Sequence, residues 1–131
     1  MLAKTITYTD YKGVERTEEF LFDLSEAEIL EAEMKEEGGL SALMQKVVKA
    51  KDTPTLITLF KRLIMWSYGE VSADGRRFVK SEEISKAFTQ TPAYNKLFME
   101  LATDEKAAAE FINNIVPQEA MENAKKLASK E

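Results

Sequence analysis

Residues 5–9, TITYT, alternate strictly, with Ile6 and Tyr8 on one face and Thr5, Thr7 and Thr9 on the other. That period of two is the signature of a half-buried strand. DYKG follows, with Gly13 able to take a positive φ, and RTEEFLF then places Phe20 and Phe22 on a common face. The pattern predicts a β-hairpin over about residues 4–22 with Ile6, Tyr8, Phe20 and Phe22 on its buried side. Two strands alone are marginal in water, so this hairpin has to pack on the rest of the chain or on another copy.

From Ser25 the period changes to that of a helix. Ser25 is an N-cap and Glu28 completes a capping box, with Leu24 and Ile29 at the staple positions. Ala27, Leu30 and Met34 read as the apolar stripe, and Gly38-Gly39 as the stop. A second helix is expected from about Ser41 to Lys51, burying Leu43, Met44, Val47 and Val48. Thr53-Pro54 reads as an N-cap followed by proline at the first helical position. The body that follows, TLITLFKRLIMWSY, is apolar over most of its circumference and reads as a central core helix closed by Gly69. Ser81 caps a short helix to about Phe88. Thr91-Pro92 opens another, carrying Tyr94, Leu97, Phe98 and Leu101. Thr103-Asp104 caps EKAAAEFINNIV, which Pro117 breaks. A hairpin followed by about six short helices is an α+β domain, mainly helical, spanning residues 1–117 with its helical part at about 25–117. Residues 118–131 form an alanine-rich helical tail.

Composition narrows the chemistry. The 131 residues include no cysteine and no histidine. This removes disulfides, thiolate chemistry, the commonest metal ligand and the usual base near neutral pH. An enzyme working with carboxylates alone stays open, supported only by the abundance of glutamate. No apolar run is long enough to span a membrane, and the N-terminus lacks the apolar core of a signal peptide, so a cytoplasmic protein is expected. Charge is uneven. Residues 1–37 carry eleven acidic and four basic side chains, and the remainder twelve and fourteen. No dense basic patch points to nucleic acid. The opposed halves and the hairpin edge favour homo-oligomers or a complementary partner.

SYGEVSADGRRFVKSEE resembles a calcium loop at first sight. With Gly75 at the sixth position, Glu70, Ser72 and Asp74 fall on the first ligand positions, but Arg77 and Ser81 occupy the places where an apolar residue and a bidentate glutamate are required. Arg76 and Arg77 also repel a cation. The stretch reads instead as a tight Asp74-Gly75 turn between two short strands, EVS and RRFVK, anchored by Phe78 and Val79.

The segments KTITYTDYKGVERTEEFLFDLS, SYGEVSADGRRFVKSEEIS and AFTQTPAYNKLFMELATDEKAAAEFINNIVP resemble the small tail assembly chaperones of long-tailed bacteriophages and prophages of Gram-positive bacteria. The resemblance covers residues 4 to about 117. It implies a non-enzymatic role in the host bacterial cytoplasm, with no catalytic residues and no cofactor. Such a chaperone binds the tape measure protein, a very long helical chain with aggregation-prone apolar stretches. It keeps that chain soluble while subunits of the major tail tube protein polymerise around it, and it is absent from the mature virion. The alternative is a structural tail completion or connector protein that stays in the particle.

Flexible, polarisable methionines suit a surface that must adapt to many helices. Met34, Met44, Met65, Met99 and Met121 are spread over five of the predicted helices, where the plainer role is core filling. The candidates for a client-binding groove are Met65, Trp66, Tyr68, Phe78, Tyr94 and Met99, with charges at the rim.

Overall fold

The computed structural model describes residues 1–49 and 53–129. An N-terminal hairpin of β1 (Leu2–Thr9) and β2 (Glu15–Phe22) is followed by α1 (Glu26–Lys35), α2 (Gly39–Lys49) and α3 (Thr53–Ser67). Then come β3 (Tyr68–Val71), β4 (Phe78–Val79), α4 (Glu82–Thr89), α5 (Pro92–Thr103), α6 (Glu105–Ile115) and α7 (Gln118–Ala128). The fold is α+β, as the sequence predicts.

The hairpin register puts Leu2, Ile6 and Tyr8 on the same face as Phe20 and Phe22. Ile6, Tyr8 and Phe22 are buried, Phe20 is half-buried, and the threonine face is exposed. The turn closes with the Asp10 N–H donating to the Val14 carbonyl at 2.9 Å, and Gly13 has φ 83°. The hairpin becomes part of a four-stranded antiparallel sheet, ordered β1-β2-β3-β4, because Leu21 and Phe22 pair with Gly69 and Tyr68.

That pairing corrects the expected end of the third helix. The apolar run continues to Tyr68, but the helix stops at Ser67, and Tyr68 and Gly69 enter the sheet. Gly69 is not a helix stop. A Cβ there would come within 2.7–2.8 Å of Phe78 and Lys80, so the missing side chain is what lets β4 close over β3. Ser67 turns its hydroxyl back to the Leu63 carbonyl at 2.8 Å, which satisfies a fully buried polar group at the junction.

The caps fall where expected at Ser25 (with its capping box), Ser81, Thr91 and Asp104. Three other expectations shift. Thr53 is the first helical residue and not the residue before the helix. The second helix begins at Gly39, not Ser41, because Glu33 of α1 reaches over Gly39 and accepts from the Leu40 N–H at 2.6 Å. On α1 the buried residues are Ile29 and Ala32, whereas Met34 is 54% exposed and Ala27 is also exposed. Leu43 and Met44 are buried as expected; Val47, Val48 and Lys51 lie outside the residues described for burial or fold.

The core centres on Phe22, which has no exposed surface and touches the rings of Tyr68, Phe88 and Phe111 at centroid distances of 5.7, 5.9 and 5.3 Å. Tyr68 stacks on Phe88 at 4.2 Å. Helix α5 crosses β1 in the opposite direction: Lys4 Nζ donates to Glu100 at 2.9 Å, and Lys96 Nζ donates to the Thr7 carbonyl. At the other side of the molecule α7 lies along α1, with Ala124 buried.

Burial, with help from the Glu70 carboxylate, pushes the Tyr68 phenol up to about 12. Because this is above the ordinary phenol value of about 10, the neutral form favours the fold. Its contribution is complete below pH 10 and is lost as the pH rises towards 12. A denaturation series is expected to show stability falling over that window, less steeply in Tyr68→Phe. An equal slope in the variant would place the alkaline sensitivity elsewhere.

Candidate functional site

Helix α1 packs on α2 and α7 and leaves a gap to α3. Two ion pairs span it. Arg62 of α3 pairs with Glu36 at the C-cap of α1, and Lys80, just past β4, pairs with Glu28 in the first turn of α1. The wall formed by α1 presents Glu28, Glu31, Ala32, Lys35 and Glu36, which helical spacing sets on one side. Opposite it stand Arg62 and Trp66 of α3, on the helix face that also carries Leu59 and the buried Leu63, at i, i+3, i+4 and i+7. That run covers ~10 Å of helix.

Trp66 lies where three concavities meet. One, of about 360 Å³, is the gap to α1. A second, also about 360 Å³, continues past Met65 to Lys80, Glu82 and Ser85 at the start of α4. The third is an apolar seam between α3 and α2, lined by Leu43 and Met44. The first two form a solvent-open trough with Trp66 on its floor and charged sides, while Leu43, Met44 and Leu63 of the seam are buried beneath it. An open shape of this kind encloses no small molecule, but it can receive side chains projecting from a helix.

The structure brings together Met65 and Trp66, both half-buried, in this trough. It places the other candidates elsewhere. Tyr68 and Tyr94 are core residues, 7% and 9% exposed, and ring contacts to Phe88 occupy both. Phe78 is half-buried against Gly69. Met99 is 57% exposed on α5 and does not line the trough.

Sequence reasoning missed Lys80. Its ammonium donates to the Asp23 carbonyl at 2.9 Å, to the Trp66 carbonyl at 3.2 Å and to Glu28. One side chain thus ties the end of β2, the end of α3 and the start of α1 together beside Trp66. Its partners are 57, 14 and 52 residues away, so no local pattern could announce them.

The turn between β3 and β4 carries its acidic group within its own hydrogen bonds. Asp74 accepts from the Ser72 hydroxyl at 2.6 Å and from the Arg76 N–H at 3.0 Å, and the Arg77 N–H donates to the Ser72 hydroxyl at 3.0 Å. The Ser72 hydrogen bond, then that from Arg76, lowers the carboxyl pKa of Asp74. Gly75 has φ 75°, as a tight Asp-Gly turn requires. Among the described residues no group of acidic side chains is arranged to hold a metal ion. Calorimetric titration with calcium is expected to give no binding tighter than about 1 mM; a tighter isotherm would restore a metal role to this turn.

A family model described as phage tail assembly chaperone matches residues 1–131. The chain belongs to that family. No curated protein and no solved structure matches it. Membership of a tail assembly chaperone family points to tail proteins as partners and to a chaperone's role. Among the described residues no helix is long and apolar enough to cross a membrane. For a tail assembly chaperone, the trough beside Trp66 offers contact area without enclosure, and its charged sides keep that apolar floor from being a bare patch.

Proposed function

We propose that this chaperone binds apolar helical segments of the tape measure protein in the host bacterial cytoplasm and keeps that chain soluble until tube subunits replace it. The observation that supports the reading is the open trough floored by Trp66, in a chain of the tail assembly chaperone family. Long helices with apolar stripes are the clients such a groove receives, through anchors spaced at i, i+3, i+4 and i+7. Individual contacts are weak and numerous, because a holdase has to release each segment as the tube advances.

Co-expression tests the proposal. The tape measure protein, or a long fragment of it, is expected to be insoluble alone and soluble with this chain. Because apolar contact dominates, the complex should survive moderate salt. Equal solubility with and without the chain, or failure to co-purify, would refute the function. Mass spectrometry of purified particles is expected to find the chain missing. Stoichiometric copies would favour a tail completion or connector protein, for which the outer edge of β1 is the available strand-pairing surface.

Self-association belongs to the same proposal, and light scattering at low salt is expected to give a homo-oligomer. A monomer at every concentration would remove that part of it.

A further inference from the structure

We infer that the trough selects its client by charge as well as by apolarity, and that the segment it takes is an amphipathic helix whose apolar stripe is flanked by lysine or arginine. This rests on the chaperone reading above and specifies the partner of the same site.

The α1 wall is the acidic side. Its charged residues that line the trough are Glu28, Glu31 and Glu36 and one cation, Lys35, which forms no ion pair among the described residues. The cations that face the trough from the other elements are Arg62 and Lys80, and each already has a carboxylate partner, Glu36 and Glu28. Among the described residues, Glu31 in the middle of the α1 wall and Glu82 at the far end form no ion pair, and both are exposed. A helix lying on Trp66 with its axis along α3 would therefore have beside it one free cation, Lys35, against two free carboxylates, Glu31 on the α1 side and Glu82 at the α4 end. Basic flanks meet them favourably and acidic flanks meet like charge at short range. The two ion pairs at the ends of α1 cancel Arg62 and Lys80 against Glu36 and Glu28, which leaves the free charges to decide the selection.

Trp66 is the only tryptophan, so its emission reports on the trough directly. The test titrates the full chain with two synthetic amphipathic peptides of roughly five turns, about 18 residues each. Both have the same leucine stripe, one with lysine and one with glutamate on its flanks. The lysine peptide is expected to move the emission of Trp66 to shorter wavelength and to saturate. The glutamate peptide is expected to bind about tenfold more weakly. Raising the salt should narrow the difference without abolishing binding of the lysine peptide.

Glu31→Lys should weaken the lysine peptide by about fivefold and strengthen the glutamate peptide. Glu110→Lys, on α6 away from the trough, makes the same change in net charge and should alter either affinity by no more than about twofold. If Glu31→Lys fails to fold, the two peptides on the unaltered chain still decide the matter. Equal affinity for both peptides, or an effect of Glu110→Lys as large as that of Glu31→Lys, would overturn the inference. If neither peptide moves the emission of Trp66 while co-expression still solubilises the tape measure protein, the trough is not the client site and the chaperone role stands. If co-expression fails as well, the role itself falls.

Discussion

Replacing Phe22 by alanine is expected to destabilise the fold by about 3–5 kcal/mol, measured by urea unfolding. Phe22 has no exposed surface and sits where the hairpin, β3, α4 and α6 converge, in ring contact with Tyr68, Phe88 and Phe111. Truncation leaves a cavity bounded by three other aromatic rings held on separate elements, which cannot all relax into it. Domains of this kind have a net stability of about 5–15 kcal/mol, so the loss is a large share of the whole. Phe20→Ala should cost distinctly less, because Phe20 is only half-buried. An unchanged midpoint for Phe22→Ala would mean that the hairpin face is not in the core.

Lys80→Met is expected to cost about 2–4 kcal/mol. The methionine keeps most of the aliphatic stem but removes the ammonium that the Asp23 and Trp66 carbonyls and Glu28 share. The loss is discounted from that of a fully buried pair because the side chains of Lys80 and Glu28 are 18% and 30% exposed, which lets water reach the orphaned groups. Lys80→Arg should rescue little, since a planar guanidinium cannot address three acceptors set around a point charge. The emission of Trp66 should also shift, because its own carbonyl loses a donor. A cost under about 0.5 kcal/mol would place Lys80 with ordinary surface ion pairs.

Much of this architecture is written locally. A serine, threonine or aspartate placed before an apolar period signals a helix start, and Ser25, Ser81, Thr91 and Asp104 all cap in the structure. The alternation around Ile6 and Tyr8 likewise fixes which side of the hairpin is buried. The end of α3 was illegible because Tyr68 and Gly69 continue an apolar run, and only the distant pair Leu21 and Phe22 turns them into a strand. On α1 the side that is buried depends on where α2 and α7 lie, so of the stripe Ala27, Leu30 and Met34 only Leu30 packs on the core. For the trough, Met65 and Trp66 were recognisable by residue type. The acidic wall was visible only as composition, and Lys80 not at all, because its bonds exist only after three remote segments have met.

Helix α1 is completed by a segment far along the chain. Its long neighbour is α7, and β1 is likewise pinned by Lys96 and Glu100 of α5. During synthesis the hairpin and α1 therefore leave the ribosome well before the surfaces that hold them. A nascent chain stopped before residue 118 lacks α7 and has only α2 and the ion pairs from Arg62 and Lys80 to support α1. Such long-range closure makes folding slow compared with that of a bundle closed by neighbouring helices. The α1 side of the trough thus gains its full support only once α7 has emerged from the ribosome, so a chain cut before residue 118 is expected to loosen there first.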